Sequence, residues 1–197
     1  MYWCPERAES GPRRTRIDLL LRNILAPLVG LPADALVFDR EAKGRPFLRH
    51  QGAPDFNLSD TIGGTLVAIT TSGRIGVDLE RVDRRPPVHR LAARWFSSGE
   101  SAALLALAPD EARLAFLRLW TAKEASCKAT GTGIYGFLSD WRFDASSASP
   151  LLRAAPADAG AAGRWRFLRL APSNEHTAVI ALRDAAELSI SAYRLID

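Results

Sequence analysis

Residues 119–131 read LWTAKEASCKATG and form the second half of the longest helix that the sequence predicts, over 109–131. Four residues of this helix share one arc of the helical wheel: Phe116, Leu117, Trp120 and Cys127. Glu124 falls inside this arc. An ionised carboxylate on an apolar face is costly unless it is paired or bound to a metal ion, so the rest of the chain is expected to supply a partner for Glu124.

A simpler interpretation of this helix stays open beside the first. Lys128 follows Glu124 by four residues, and such pairs stabilise exposed helices by roughly 0.2–0.5 kcal/mol. Trp120 is then an ordinary core residue. The helix alone does not separate a functional carboxylate from a surface ion pair, so the choice depends on the remaining sequence.

Length and composition limit the class of protein. A chain of 197 residues with 47% hydrophobic and 24% charged residues fits one domain, or two small lobes packed together. No apolar run reaches the ~18 residues of a membrane span, and the first residues lack the apolar segment of a secretory signal. Cys4 and Cys127 show no ligand or redox spacing. We therefore expect a cytoplasmic protein without a membrane segment.

The positive charge is concentrated in the first half of the chain. Residues 1–98 contain 15 Lys and Arg against 11 Asp and Glu, whereas residues 99–197 contain 11 of each. A basic half suggests an anionic ligand or partner, such as phosphates or an acidic protein. No basic run is interleaved with aromatic residues, and no nucleic-acid-binding motif is present, so we expect no nucleic-acid partner.

The first elements predict a helix followed by short strands. Residues 1–12 are expected to be a poorly ordered lead-in, and residues 13–28 carry the apolar stripe of a helix. Its first turn holds three arginines, which the helix dipole disfavours at this end: Arg13, Arg14 and Arg16. They either bind an anion or are simply solvated. A strand over 35–39 then leads to a turn whose tip is Arg45, a position that suits phosphate contact but is often only solvated.

Three further strands are expected to form an antiparallel set, with a Gly-Gly loop and a Ser-Gly turn between them. The third, over 74–80, places Ile75 and Val77 on one face and Asp78 and Glu80 on the other. Two carboxylates at this spacing repel each other, and they suit a hard cation such as Mg²⁺ that also binds phosphate. The alternative is two exposed acids at the end of a strand.

The second half repeats the order of helix and then strands. Pro86 and Pro87 break the chain before a helix over 88–96, and the Ser97–Glu100 spacing of a capping box opens another helix through Leu107. Strands are predicted over 141–143, 164–170, 176–182 and 187–195, with a loop over 145–163. This order indicates an α+β protein with two related lobes, over 13–86 and 87–197.

Several segments, taken in order, resemble the 4′-phosphopantetheinyl transferases of the larger, monomeric, two-lobed Sfp type. The segments are GVDLERV, WFSSGE and LWTAKEASCKATG, preceded by KGRPFL and PDFNLSD. Each is weak alone, whereas the ordered set is specific. The resemblance implies transfer of the phosphopantetheine arm of coenzyme A (CoA) to a serine of an acyl or peptidyl carrier protein. It also implies two similar α+β lobes related by a pseudo-twofold axis, with the active site in the cleft between them.

The resemblance also implies roles for individual residues. Asp78, Glu80 and Glu124 would be the Mg²⁺ carboxylates, and Glu124 would also be the base for the carrier serine. Lys123 and Lys128 would hold phosphates, and Lys128 would protonate or stabilise the leaving phosphate. The remaining family positions lie around the nucleotide: Arg45 at the 3′-phosphate, Arg13 near the nucleotide, Ser59 in its pocket, and Glu100 as a recurring glutamate.

Asp60 departs from the family pattern, in which a histidine that contacts the CoA phosphates follows the serine. A carboxylate ~4 Å from a phosphate charge would be repelled by about 4 kcal/mol at an effective dielectric near 20. Asp60 therefore either turns away or pairs with an arginine, or it weakens the enzyme. The last alternative is a degenerate homologue that binds CoA or carrier protein without catalysis.

Overall fold

The long helix predicted from the sequence is present in the computed structural model, which describes residues 1–5, 12–133, 138–185 and 189–195. Helix α4 runs over Pro109–Thr130 and is preceded by three others: α1 (Arg13–Val29), α2 (Val88–Trp95) and α3 (Ser98–Leu105). Pro109 occupies the first turn of α4, where its missing N–H is not needed. Gly131 ends the helix in the left-handed conformation, and its N–H donates to the Cys127 carbonyl at 2.9 Å.

The described strands divide into two main sheets and two small hairpins. One sheet has the order β11-β1-β5-β4, the second has the order β6-β10-β9, and β2-β3 and β7-β8 are two-stranded. The strand bounds are β1 Tyr2–Pro5, β2 Phe38–Arg40, β3 Pro46–Leu48, β4 Asp55–Thr61, β5 Gly64–Thr70, β6 Arg74–Arg81, β7 Arg142–Phe143, β8 Leu152–Ala154, β9 Trp165–Ser173, β10 His176–Arg183 and β11 Tyr193–Arg194. The protein is therefore α+β, as predicted.

Strand β6 does not pair with β5, so the predicted antiparallel set of three strands is wrong for its third member. Along its whole length β6 pairs instead with β10. Its other edge is covered by side chains of β4, which accept hydrogen bonds from its backbone. These bonds run from Ile75 N to Asp55 (2.8 Å), from Val77 N to Asn57 (2.9 Å) and from Leu79 N to Ser59 (3.1 Å). This side-chain ladder joins the two main sheets where backbone pairing would otherwise be required.

The sheet pairing also crosses the predicted boundary at residue 86. Strand β6 precedes that boundary in the chain but lies in one sheet with β9 and β10, which follow it. Strand β1 similarly pairs with β5 and with β11, near the other end of the described chain. Each sheet thus draws strands from both halves of the sequence.

The expectation of a poorly ordered lead-in over residues 1–12 is wrong for Tyr2–Pro5, which form β1. Trp3 is buried, and its indole occupies the space beside Gly64 that a Cβ there would need. A four-residue strand is too short to show an alternating pattern, so its burial was not evident from the sequence. Residues 6–11 lie outside the described residues.

Close packing brings α4 onto β6. A Cβ at Gly76 would overlap the backbone of α4, lying 3.0 Å from the Ala129 Cα and nearer still to the Ala125 carbonyl oxygen and the Ala129 nitrogen. The helix therefore rests directly on this glycine. Buried aromatic residues form one core cluster with apolar residues of α4, including Phe96, Phe116, Trp141 and Trp165.

The later strands agree broadly with prediction. Strands β9 and β10 lie where the alternating patterns place them, whereas the predicted loop over 145–163 contains β8 and two short 3₁₀ turns. Of the strand predicted over 187–195, residues 193–194 form β11, and residues 186–188 lie outside the described part. Across the described ranges, the helices are too short or too polar to cross a membrane.

Candidate active site

The site lies on the face of β6 that α4 crosses. Gly76, Asp78 and Glu80 alternate onto this face, because side chains of a strand alternate with period two. Gly76 admits the helix backbone at Ala125 and Ala129. Glu124 and Lys128 immediately precede these two alanines, and they come to lie beside Asp78. The sequence-predicted carboxylates and one lysine are thereby brought together.

Asp78 and Lys128 form the best-defined contact of the site. The Lys128 ammonium donates to Asp78 Oδ1 at 2.7 Å and to Ser59 Oγ at 3.0 Å. The Ser59 hydroxyl donates to the same Asp78 oxygen at 3.1 Å, while its own oxygen accepts from Leu79 N. Asp78 Oδ2 is buried and makes no hydrogen bond. One oxygen of Asp78 is thus fixed by the protein, whereas the other is buried without a hydrogen-bond partner.

Glu80 forms an ion pair with Arg84, which lies four residues later, just after the end of β6. Burial and, to a lesser extent, the negative charge of Asp78 raise the Glu80 pKa to about 7, against the opposing charges of Arg84 and Lys128. Trp120 adds a hydrogen bond that lowers the pKa. The Arg84 guanidinium lies over the Trp120 ring, 5.6 Å from its centroid. The arginine therefore covers both the carboxylate and the indole at this edge of the site.

Glu124 is buried, with 6% of its surface exposed. Burial, together with the negative charges of Asp78 and Glu80, raises its pKa to about 7, against the opposing charges of Lys128 and Arg84. The surface ion-pair interpretation therefore does not hold, since Lys128 donates its hydrogen bonds to Asp78 and Ser59. A carboxyl group with a pKa near 7 is suited to accept a proton at neutral pH.

The carboxylates of Asp78, Glu80 and Glu124 have the chemistry to bind a hard cation, although their oxygens do not converge on one point in this structure. Asp78 carries a buried oxygen without a partner, and burial together with the neighbouring negative charges raises the pKa values of Glu80 and Glu124. A shared cation would stabilise the ionised carboxylates. Among the residues that the structure describes, no three His, Cys, Asp or Glu side chains converge closely enough to hold a metal ion. Lys128 and Arg84 neutralise Asp78 and Glu80 in this arrangement.

Asp60 is paired with an arginine, which is one of the outcomes considered for it. Arg13 Nε donates to its carboxylate, Arg13 Nη2 donates to its carbonyl at 3.1 Å, and Thr65 Oγ1 donates to Oδ1 at 2.5 Å. Asp60 and Ser59 are neighbours on β4 and so face opposite sides of the sheet. The negative charge of Asp60 is therefore turned away from Asp78 and neutralised.

Lys123 does not reach the site. Its side chain is fully buried, and its ammonium donates to Glu100 Oε2 at 2.9 Å, to the Leu138 carbonyl at 2.8 Å and to the Trp141 carbonyl. These three acceptors use all three of its N–H donors. The phosphate contact that the resemblance implies for Lys123 is not available in this arrangement.

Glu100 has the structural role that its capping-box spacing predicts. Its carboxylate accepts from the Ser97 backbone at 2.9 Å, and the Ser97 hydroxyl accepts in turn from the Glu100 backbone. The same carboxylate also accepts from Lys123 and from Phe143 N at 2.9 Å. The capping box is confirmed, and it is extended into a buried cluster behind α4.

Arg45 is likewise buried and engaged, with 6% of its surface exposed. It forms a two-pronged ion pair with Asp55 and donates to the carbonyls of Ile75 and Lys128. Its guanidinium is therefore not free for a 3′-phosphate in this arrangement. Sequence reasoning did not identify Arg84 at the site, although its position four residues after Glu80 in a basic run was the available signal.

Comparisons with known proteins agree on one family. Residues 74–181, which include β6 and α4, match the family model described as the 4′-phosphopantetheinyl transferase superfamily. The chain is 33% identical over 167 residues to 4′-phosphopantetheinyl transferase HetI of Nostoc sp., covering 83% of this chain and 67% of that protein. It is 34% identical over 129 residues to 4′-phosphopantetheinyl transferase psf-1 of Bacillus pumilus, covering 64% and 54%.

Similarity extends to a further curated protein and to one solved structure. The chain is 31% identical over 137 residues to 4′-phosphopantetheinyl transferase AcpT of Escherichia coli K12, covering 68% of this chain and 67% of that protein. It resembles the crystal structure of holo-[acyl-carrier-protein] synthase of Thermotoga maritima with a TM-score of 0.44 and 25% identity, covering 58% and 65% of the two chains. The chain thus spans about half to two thirds of the length of these relatives.

Proposed function

The chain belongs to the 4′-phosphopantetheinyl transferase superfamily, and from this premise we propose that it transfers the phosphopantetheine arm of CoA to a serine of an acyl or peptidyl carrier protein. The carrier serine oxygen bonds to the β-phosphorus, the bridging oxygen leaves, and adenosine 3′,5′-bisphosphate is released. The observation that carries the proposal is the group formed by Asp78, Glu80, Glu124 and Lys128 where α4 crosses β6. The non-catalytic alternative is not favoured, since the relatives are named as transferases.

Each residue of this group has a role that its environment supports. Glu124, with a pKa near 7, accepts the proton of the serine hydroxyl as the oxygen attacks phosphorus. Lys128, which bridges Asp78 and Ser59, moves its ammonium onto a phosphate oxygen and stabilises the leaving group. Ser59 anchors Asp78, and it would line the nucleotide pocket.

We propose that the reaction depends on Mg²⁺, which carboxylates of this group would bind. Asp78, Glu80 and Glu124 would supply its carboxylate oxygens, and the ion, when bound, would neutralise charge on the CoA pyrophosphate. The unpartnered Asp78 Oδ2 and the raised pKa values of the two glutamates support this ligand set. Arg84 and Lys128 would then be released from the carboxylates toward the phosphates.

We also propose that the two main sheets and their helices correspond to the two lobes of the family, with the site in the cleft between them. The ladder from β4 to β6 supports this assignment, because Ser59 belongs to both the ladder and the Asp78 contact. The protein would act as a monomer in the cytoplasm, and Arg13 would lie near the bound nucleotide.

The test is the intact mass of several apo carrier proteins after incubation with this protein, CoA and Mg²⁺. We expect a phosphopantetheine mass gain that EDTA abolishes, and we expect Asp78→Asn and Glu124→Gln to lose it. The exposed acids Asp110 and Glu111 at the start of α4 provide matched controls, as Asp110→Asn and Glu111→Gln. No mass gain with carriers that a known transferase modifies would refute the proposal.

A further inference from the structure

Four hydrogen bonds fix the Arg45 guanidinium between three parts of the chain. Nη1 and Nη2 donate to the two Asp55 carboxylate oxygens at 2.9 and 2.7 Å, Nη2 also donates to the Ile75 carbonyl at 2.8 Å, and Nε donates to the Lys128 carbonyl at 2.9 Å. A planar guanidinium suits such a fork, whereas a lysine ammonium cannot reproduce it. Arg45 therefore links the β2–β3 turn to β4, β6 and α4 at once.

The contact with Lys128 lies at the end of α4, where helix carbonyls lack partners within the helix. Arg45 satisfies the Lys128 carbonyl, and Arg74 satisfies the Ala129 carbonyl at 3.2 Å. Glu41 holds Arg74 by an ion pair of 2.7 Å and packs against Gly131. Two cations at this end also complement the negative end of the helix dipole. The last turn of α4 is thus held from outside the helix.

The same cluster fixes the start of β6 against that turn. Asp55 Oδ2 accepts from Ile75 N at 2.8 Å while Arg45 donates to the Ile75 carbonyl, so both backbone groups of Ile75 are held by one ion pair. Asp78 follows Ile75 by three residues on the same strand. The Arg45–Asp55 pair therefore contacts both the backbone of Lys128 and the start of the strand that carries Asp78.

We propose that Arg45, with Asp55, is a positioning residue that sets the Lys128–Asp78 pair for transfer, and that it does not bind the 3′-phosphate of CoA. This inference rests on the function proposed above. Lys128 moves between Asp78 and a phosphate only if its backbone stays in place, and Arg45 holds that backbone directly. Displacing a reacting group by about 1 Å can reduce a rate about 100-fold.

The two roles for Arg45 predict different kinetics with CoA and 3′-dephospho-CoA. A residue that contacts the 3′-phosphate raises kcat/KM for CoA over its dephospho form, and its replacement lowers that ratio. A positioning residue affects both substrates equally and lowers kcat. Arg45→Lys separates the roles, because a lysine can contact a phosphate but cannot form the fork to Asp55, Ile75 and Lys128.

The experiment measures kcat and KM with both substrates for the full chain and for Arg45→Lys, Asp55→Asn and Arg49→Lys. Arg49 is the control, since 72% of its side chain is exposed. We expect kcat to fall about tenfold or more in the first two variants, with an unchanged substrate ratio, and to stay at the wild-type value in the control. Hydrogen exchange of the amides over 126–131 should become faster in Arg45→Lys, and it needs no substrate.

Three results would overturn the inference. The first is a lower CoA to 3′-dephospho-CoA ratio in Arg45→Lys, which would assign the phosphate contact to Arg45. The second is wild-type kcat in Asp55→Asn, which also carries the kinetic test if Arg45→Lys does not fold. The third is unchanged exchange over 126–131. If the wild type itself transfers nothing, the proposed function fails, and hydrogen exchange still decides whether Arg45 holds α4.

Discussion

Replacing Gly76 with alanine should damage both stability and activity, because this residue sets the distance between β6 and α4. The added Cβ would lie 3.0 Å from the Ala129 Cα, whereas carbon atoms pack at about 3.5–4.0 Å. The neighbouring backbone atoms of Ala125 and Ala129 lie nearer and cannot rotate away. The helix must therefore retreat by about 1 Å or more.

The expected cost follows from this displacement. Overpacking of a core typically costs 1–3 kcal/mol, and backbone overlap places Gly76→Ala near ~3 kcal/mol. For a chain of this size that lowers the melting temperature by about 6–12 °C. The retreat also carries Glu124 and Lys128 away from Asp78, so activity below the melting temperature should fall about 100-fold.

Thermal unfolding followed by circular dichroism and the carrier mass assay together check this prediction. Gly99→Ala is the matched control, since a Cβ at Gly99 meets no atom within 4 Å and the residue is helical. The control should be neutral or more stable by up to about 1 kcal/mol. A Gly76→Ala protein with the stability and activity of the wild type would refute the packing argument.

The site and its surroundings lead to four further predictions. Mg²⁺ should raise the melting temperature more at pH 8 than at pH 6, because the pKa values of Glu80 and Glu124 lie near 7 and protons compete with the ion. Equal increases in melting temperature at the two pH values would contradict the ligand set. Without metal, a raised glutamate pKa favours folding at low pH, and the benefit is lost as pH rises from the unfolded value of 4.5 towards 7. The free energy of unfolding, measured by urea titration, should therefore fall between pH 5 and 8 in the wild type. The fall should be up to ~3 kcal/mol larger than in Glu124→Gln. Asp60→Asn should change the free energy of unfolding by at most about 1 kcal/mol, since its partner Arg13 is largely exposed, and a tenfold loss of CoA affinity by calorimetry would reveal a positive role for Asp60. Lys123→Met should lower the free energy of unfolding by about 3–5 kcal/mol, because it leaves the buried Glu100 carboxylate without its cation. The double variant with Glu100→Gln should lose less than the sum of the two single losses. Additive losses in urea titrations would contradict the pairing.

The parts of the site that depend on local periodicity were predictable. The helical period of 109–131 placed Glu124 on the apolar face of the helix, and the alternation over 74–80 placed Asp78 and Glu80 together on one face of the strand. The capping-box spacing predicted the role of Glu100. The pairing of β6 with β10 was not predictable, because it joins residues about 100 apart in sequence and leaves no local pattern.

Lys123 and Arg45 show a second reason why the sequence did not predict every contact around the site. The resemblance placed both at phosphates, yet five residues of helix put Lys123 about 140° around the axis from Lys128, a separation that the sequence already contained. For Arg45 no such signal existed. Its role depends on Asp55, Ile75 and Lys128, which converge only in the folded chain.

The ladder from β4 to β6 has a consequence for the substitutions that strand β4 can accept. Positions 55, 57 and 59 must each present an oxygen acceptor on a short side chain, whereas Phe56 and Leu58 between them pack into the core beneath α1. In a library of random codons over 55–59, functional clones should retain Asp, Asn, Ser or Thr at the odd positions and apolar residues at the even ones. The side chains of β4 therefore alternate between those that accept hydrogen bonds from the backbone of β6 and those that pack into the core.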